Sequence, residues 1–122
     1  MCLKFKDGME FFRKPAGADT FSMIIAGDCC PWGSAIETIR AGRAADIISA
    51  VKPFLDSADY KIIQFEVPLT NKDTPIDKSG PNLRCPPECL DLVKEAGFDV
   101  ALLANNHIGD HGAEVAMETI SH

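Results

Sequence analysis

The residues best equipped for chemistry lie in the run Leu102-Leu103-Ala104-Asn105-Asn106-His107-Ile108-Gly109-Asp110-His111-Gly112. Two amides, an imidazole and a carboxylate follow directly on an apolar stretch, and the glycines flanking Asp110 give the backbone freedom to aim them. An imidazole can move protons near neutral pH. Carboxylates, amide oxygens and imidazoles together suit a hard or borderline divalent cation. Two further carboxylates, Asp28 and Glu66, close two other apolar runs in the same way. Gathered without a cation, such carboxylates would repel and raise one another's pKa.

Each residue alone has a plainer reading. Asp28 after Gly27 fits a turn or a helix cap. Glu66 before Val67-Pro68 fits a solvated loop charge, and Asn105-Asn106 fit side-chain ties between loop backbones. A lone His107 is commonly a hydrogen-bonded structural histidine, and Asp110 with Gly112 fits a turn leading into a helix. The functional reading gains weight because the same pattern recurs at three strand ends. His111 is expected on the loop surface, near enough in sequence to support the site from behind. Arg84 is the candidate contact for an anionic substrate, with a solvated charge as its plainer alternative.

The elements that must position these groups follow from periodicity. Phe21 to Ala26 predicts a short buried strand ending at Gly27-Asp28, and Asp59 to Phe65 a second ending at Glu66. Phe98 to Ala104 predicts a third, ending at the Asn105-Asn106-His107 turn. Between them, Ser34-Ala35-Ile36-Glu37 has the form of a capping box. Ile47, Ile48, Val51, Phe54 and Leu55 fall at helical spacing, with Pro53 expected to end or kink that helix. Val67 to Leu83 reads as a long polar loop. Pro86-Pro87 opens a helix through Ala96 with Gly97 as its C-terminal cap. Gly112 starts a last helix with Val115, Ala116, Thr119 and Ile120 inward.

Strand and helix alternate, which predicts an α/β fold with a parallel sheet, helices on its faces and right-handed crossovers. In such sheets ligands bind beyond the carboxyl ends of the strands. The three strand ends recur at intervals of roughly forty residues, long enough for crossover helices that bring all three to one edge.

With 122 residues the chain makes one domain at most, and an apolar fraction of 46% can furnish a core. The net charge of −6 argues against a nucleic-acid partner, which calls for a basic face. No stretch reaches the length of a membrane-spanning helix, and residues 1–20 read as an N-terminal extension without the apolar core of a secretory signal. Cys2, Cys29, Cys30, Cys85 and Cys89 lack the spacing of a zinc knuckle or a redox pair. They read as reduced thiols, and a cytoplasmic location is the expectation.

Gly27-Asp28, Gln64-Phe65-Glu66-Val67-Pro68-Leu69-Thr70, Ala96-Gly97-Phe98-Asp99-Val100 and Leu103-Ala104-Asn105-Asn106-His107, with Asp110-x-Gly112 and Thr119, resemble the CapA-type poly-γ-glutamate capsule biosynthesis family, in the calcineurin-like metallophosphatase superfamily. The family usually carries Asn-Leu-Glu where this chain has Gln64-Phe65-Glu66. The resemblance implies a four-layer α/β/β/α sandwich with a metal centre at the strand ends. It implies Asp28, Glu66 and Asn106 as ligands of one divalent cation (Mn, Mg, Fe or Zn), or of two in a completed site. His107 would be the acid beside the metal and Asp110 its orienting partner; Asn105 and His111, close by in the sequence, are the candidate supporting residues. The chemistry implied is metal-assisted hydrolysis or transfer at a phosphorus or acyl centre.

The histidine motifs that complete the family's metal site and its second sheet have no counterpart here. Residues 21–122 are therefore expected to be a truncated member of the family, about half of the sandwich. A second copy, a partner chain or further residues of the same protein are expected to complete it, with a small-molecule or polyglutamate-related substrate. Two rival readings stand beside that one: an inactive binding or assembly module, and a flavodoxin-like domain holding a small anion at the same strand edge.

Overall fold

The computed structural model describes residues 19–122. Most of the expected N-terminal extension, with Cys2, lies outside the described residues. Three parallel strands, β1 (Met23–Cys29), β2 (Tyr60–Phe65) and β3 (Val100–Leu102), lie side by side in the order β1-β2-β3. Ile62 sits level with Ile25 on one side and Val100 on the other, so β2 is the spine of the sheet. This is the α/β arrangement expected from the alternating pattern.

β1 runs further than its apolar residues suggested. A register shift between Ile25 and Asp28 accommodates Gly27, and pairing resumes with Asp28 opposite Gln64 and Cys29 opposite Phe65. Asp28 is thus the penultimate residue of the strand rather than the loop beyond it.

The helices correct the expectations more than the strands do. α1 (Ser34–Arg40) begins one residue after a Gly33 N-cap at φ +54°, with Ser34 already helical. No capping box forms, because a serine inside the first turn has lost the extended geometry a cap requires. The single helix expected across Ile47 to Leu55 is two: α2 (Ala44–Ile48) and α3 (Lys52–Leu55). Pro53 lies in the first turn of α3, where its missing N–H costs nothing, so the chain restarts the helix there. A 3-10 turn at Pro87–Cys89 leads into α4 (Leu90–Ala96), and Gly97 ends it left-handed at φ +76°, as its position predicted.

α1 to α4 bury their apolar residues in one core against the sheet, and α5 (Ala113–Ile120) follows β3. Ile63 and Phe65 of β2 meet Ile39, Ile48, Leu55, Val93 and Ala96 there, with Ile24, Ala26, Ala101 and Leu103 packed alongside. Among the described residues the other sheet face is open: Met23, Ile25 and Leu102 are 48%, 71% and 45% exposed. The expectation of helices on both faces is therefore corrected. The strands alternate instead of being buried twice over, which is unusual for a parallel sheet.

The long polar loop also begins inside the core. Val67 and Leu69 are fully buried, and a bridge joins Leu69 to Cys85, with Thr70 N donating to Cys85 O at 2.8 Å and Cys85 N to Pro68 O at 3.1 Å. Residues 71–84 thus form a closed loop pinned at its base. Thr119 locks α5 to that base: its hydroxyl accepts from Leu69 N at 2.9 Å and donates to Val115 O at 2.8 Å. Ile120, expected to face inward, is 63% exposed, because α5 packs through the narrower stripe of Val115 and Thr119.

Thr119→Val keeps the shape but strands the Leu69 N–H in the interior. It should lower the unfolding free energy by about 1–3 kcal/mol, measurable by urea denaturation.

Candidate functional site

The chain segment after β3 builds the site around a buried carboxylate. Asp110 is 1% exposed and accepts from Leu83 N at 2.7 Å through Oδ2, while its Oδ1 meets the Lys78 ammonium. The same Oδ2 lies 2.7 Å from His107 Nδ1. Burial pushes the Asp110 carboxyl up, but the Lys78 ammonium, the Leu83 N–H and His107 outweigh it and hold the acid below its ordinary value. An ionised carboxylate can only accept, so Nδ1 of His107 carries the hydrogen. Its Nε2 then faces Glu66, with Oε1 at 3.9 Å.

Asn105 sets the turn that makes this possible. Its side-chain oxygen accepts from His107 N and Ile108 N, each at 2.9 Å, and its amide donates to Phe65 O at 2.8 Å. One side chain thus closes the loop after β3 and ties it to the end of β2. Glu66 is held in turn by its backbone N–H on Cys29 O at 3.0 Å, which links the end of β2 to the end of β1. Burial raises the Glu66 pKa, and the neighbouring Asp28 charge raises it further, against a smaller opposing effect of His107. Asp28, Glu66, His107 and Asp110 therefore form one continuous group.

The other candidates are placed differently. Asn106 is exposed, and among the described residues its side chain has no hydrogen-bond partner. No group of three His, Cys, Asp or Glu side chains among the described residues surrounds an ion-sized space. His111, expected on the loop surface, is 4% exposed: Thr74 N donates to its Nδ1 at 3.2 Å, and Thr74 Oγ1 donates to its carbonyl at 3.1 Å. The polar loop covers it, which its flanking glycines gave no means of foreseeing. Arg84 and His111 line a cleft that includes none of Asp28, Glu66 and His107.

Sequence reasoning missed Lys78 and Thr74, the two loop residues that grip Asp110 and His111. The signal was faint: a buried aspartate needs a cation, and Lys72 and Lys78 were both near enough in the chain to supply it. Cys29, Cys30, Cys85 and Cys89 are free thiols. Burial, with the nearby Cys30 and Cys89, pushes Cys29 up to about 11, so it is a protonated filler rather than a nucleophile.

A family model described as bacterial capsule synthesis protein PGA_cap matches residues 22–122. The chain belongs to this family. It is 32% identical over 105 residues to the capsule biosynthesis protein CapA of Bacillus anthracis, covering 84% of this chain and 26% of that protein. It is 29% identical over 104 residues to the PGA biosynthesis protein CapA of Bacillus subtilis (strain 168), covering 84% and 27%. The chain thus spans about a quarter of the length of the curated relatives it matches. No helix among the described residues is long and apolar enough to cross a membrane.

Asp110→Asn removes the charge facing Lys78 and should cost about 3 kcal/mol, at the lower end for a broken buried pair because Lys78 is partly exposed. The Asp110 pKa is depressed on folding, so its contribution is complete above the unfolded value of about 3.9 and is lost as pH falls through the folded one. Denaturation from pH 7 downward should show the gap between wild type and Asp110→Asn closing in acid.

Proposed function

We propose that this chain supplies the carboxylate and acid–base part of a divalent-cation-dependent hydrolytic or transfer site serving capsule or poly-γ-glutamate synthesis. The reading is carried by one observation: Asp28, Glu66, His107 and Asp110 form a continuous group at the strand ends. Family membership supports the setting, since relatives bear the names capsule and PGA biosynthesis protein.

The donor chemistry fits a cation in part. Glu66 is driven towards its protonated form by burial and by Asp28, a cost that a bound cation would remove. Asp28 and Glu66 would hold the ion by two carboxylates, with the Asn106 amide as third donor and further ligands from outside these residues. A bound cation of this kind polarises the substrate oxygen and eases ionisation of a water. The protein's own share is proton handling. Asp110 fixes His107 with hydrogen on Nδ1, so Nε2 is the atom that takes a proton and returns it to a leaving oxygen. A small or polyglutamate-related substrate is the proposed reactant.

The open sheet face supports a companion reading, in which this surface docks a further layer. Met23, Ile25 and Leu102 lie exposed there, and the relatives are about four times longer. A second copy of the chain, a separate chain or a further segment of a longer protein would fill that role. Ile25→Lys should abolish self-association seen by analytical ultracentrifugation; an unchanged distribution would exclude the sheet as the interface.

Mn²⁺ should raise the melting temperature of the chain by a few degrees, the scale of about 1 kcal/mol for a domain of this size. Glu66→Gln should raise the metal-free value, because the carboxylate repulsion is gone, and abolish the response to Mn²⁺. Once the site is complete, His107→Ala should lower kcat for phosphodiester hydrolysis roughly 10²–10⁴-fold. A Glu66→Gln protein that still responds fully to Mn²⁺ would overturn the assignment.

A further inference from the structure

A second site lies on the other side of the Asp110-His111 pair. Trp32 and Arg40, from the segment after β1 and the end of α1, face Asn71, Arg84 and His111 across a cleft of about 580 Å³. The chain carries a net charge of −6, yet this cleft is lined by two guanidiniums against the single carboxylate of Asp73. Arg84 is held loosely: Nη1 is 3.4 Å from Asn71 O, and Nη2 is 3.6 Å from Asp73 Oδ1. Those contacts are long for a charged donor, and Asp73 is mostly solvated, so the pair adds little.

His111 is the second observation. The ring is almost wholly buried, and its Nδ1 accepts from Thr74 N, so the hydrogen sits on Nε2. That Nε2 is buried and has no hydrogen-bond partner among the described residues. A buried donor left unmet costs free energy, which an acceptor entering the cleft would recover. Burial first, and then the Arg84 charge, hold His111 below its ordinary pKa, so it stays a neutral donor near pH 7. Asn82, also in the lining, spends its amide N–H on Ile76 O at 3.0 Å, and its own buried oxygen has no partner among the described residues. The cleft therefore offers cations, one neutral donor and one neutral acceptor.

We propose that this cleft is an oxyanion-binding site for a small ligand bearing a carboxylate or phosphate beside an N–H or O–H donor. Arg84 and Arg40 bind the anion, His111 Nε2–H donates to it, Asn82 accepts from the neighbouring donor, and Trp32 covers the mouth. The site stands apart from the proposed cation site and shares no residue with it.

Trp32 is the only tryptophan, and at 65% exposed on the rim it reports on the cleft directly. The full chain, held in EDTA, is titrated with N-acetyl-L-glutamate in one arm and inorganic phosphate in the other, following Trp32 emission and thermal shift. The expected result is a saturable change with at least one probe, at a Kd below about 1 mM. The arm that saturates identifies the anion. Arg84→Gln and Arg40→Gln, both at accessible positions, should each weaken binding roughly tenfold while leaving the circular dichroism spectrum unchanged. No saturation with either probe, or unaltered affinity in both arginine variants, overturns the proposal. Because chelator is present throughout, failure of the metal reading would leave this result intact, and the converse also holds.

Discussion

The arrangement of the site depends on a single buried negative charge. Asp110 is closed to water, and a carboxylate there is tolerable only when its oxygens are met by charge or by donors. Lys78, the Leu83 N–H and His107 Nδ1 meet them, and so join the polar loop to the turn after β3. The loop between Thr70 and Leu83 is thereby drawn over the turn after β3. A further bond, from Ile76 N to Asp110 O at 3.0 Å, ties the same residue through its backbone. One charge thus orders a loop, fixes a histidine tautomer and aims the free ring nitrogen at Glu66.

The two ends of that chain of contacts differ in kind. At Asp110 the Lys78 ammonium, the Leu83 N–H and His107 outweigh burial and favour ionisation, and the group is stabilising. At Glu66 burial and Asp28 both oppose it, and the group is kept at a cost. Proteins retain such conflicts chiefly where function needs them, since an uncharged residue would pack there without penalty. A satisfied carboxylate and a frustrated one, with an imidazole between them, thus share one strand edge.

Asp110 and His111 are neighbours in the chain but serve different surfaces. The carboxylate belongs to the group at the strand ends, and the imidazole belongs to the arginine-lined cleft. Thr74 and Lys78 of one loop hold one residue each. That loop is therefore shared structure, and a change in its position would be felt on both surfaces. The open sheet face is the remaining conspicuous surface, and its exposed Ile25 is level with Ile62 and Val100 of the neighbouring strands.

By itself the sequence determined the α/β class, the parallel order of elements, the Gly97 helix stop and the family. It also singled out Asp28, Glu66, His107 and Asp110, because turn residues and ligand-type side chains recurring after apolar runs are local signals read along the chain. Helix boundaries failed at Ser34 and Pro53, where both a cap and a first-turn residue fit the same letters and only backbone geometry chooses between them. Tertiary structure alone decided that Val67 and Leu69 are core, that His111 is buried, that Lys78 rather than Lys72 meets Asp110, and that among the described residues one sheet face is open. The physical reason is common to all four: burial and pairing depend on which distant segment covers a residue, and residues far apart in the chain carry no mark of their future neighbour.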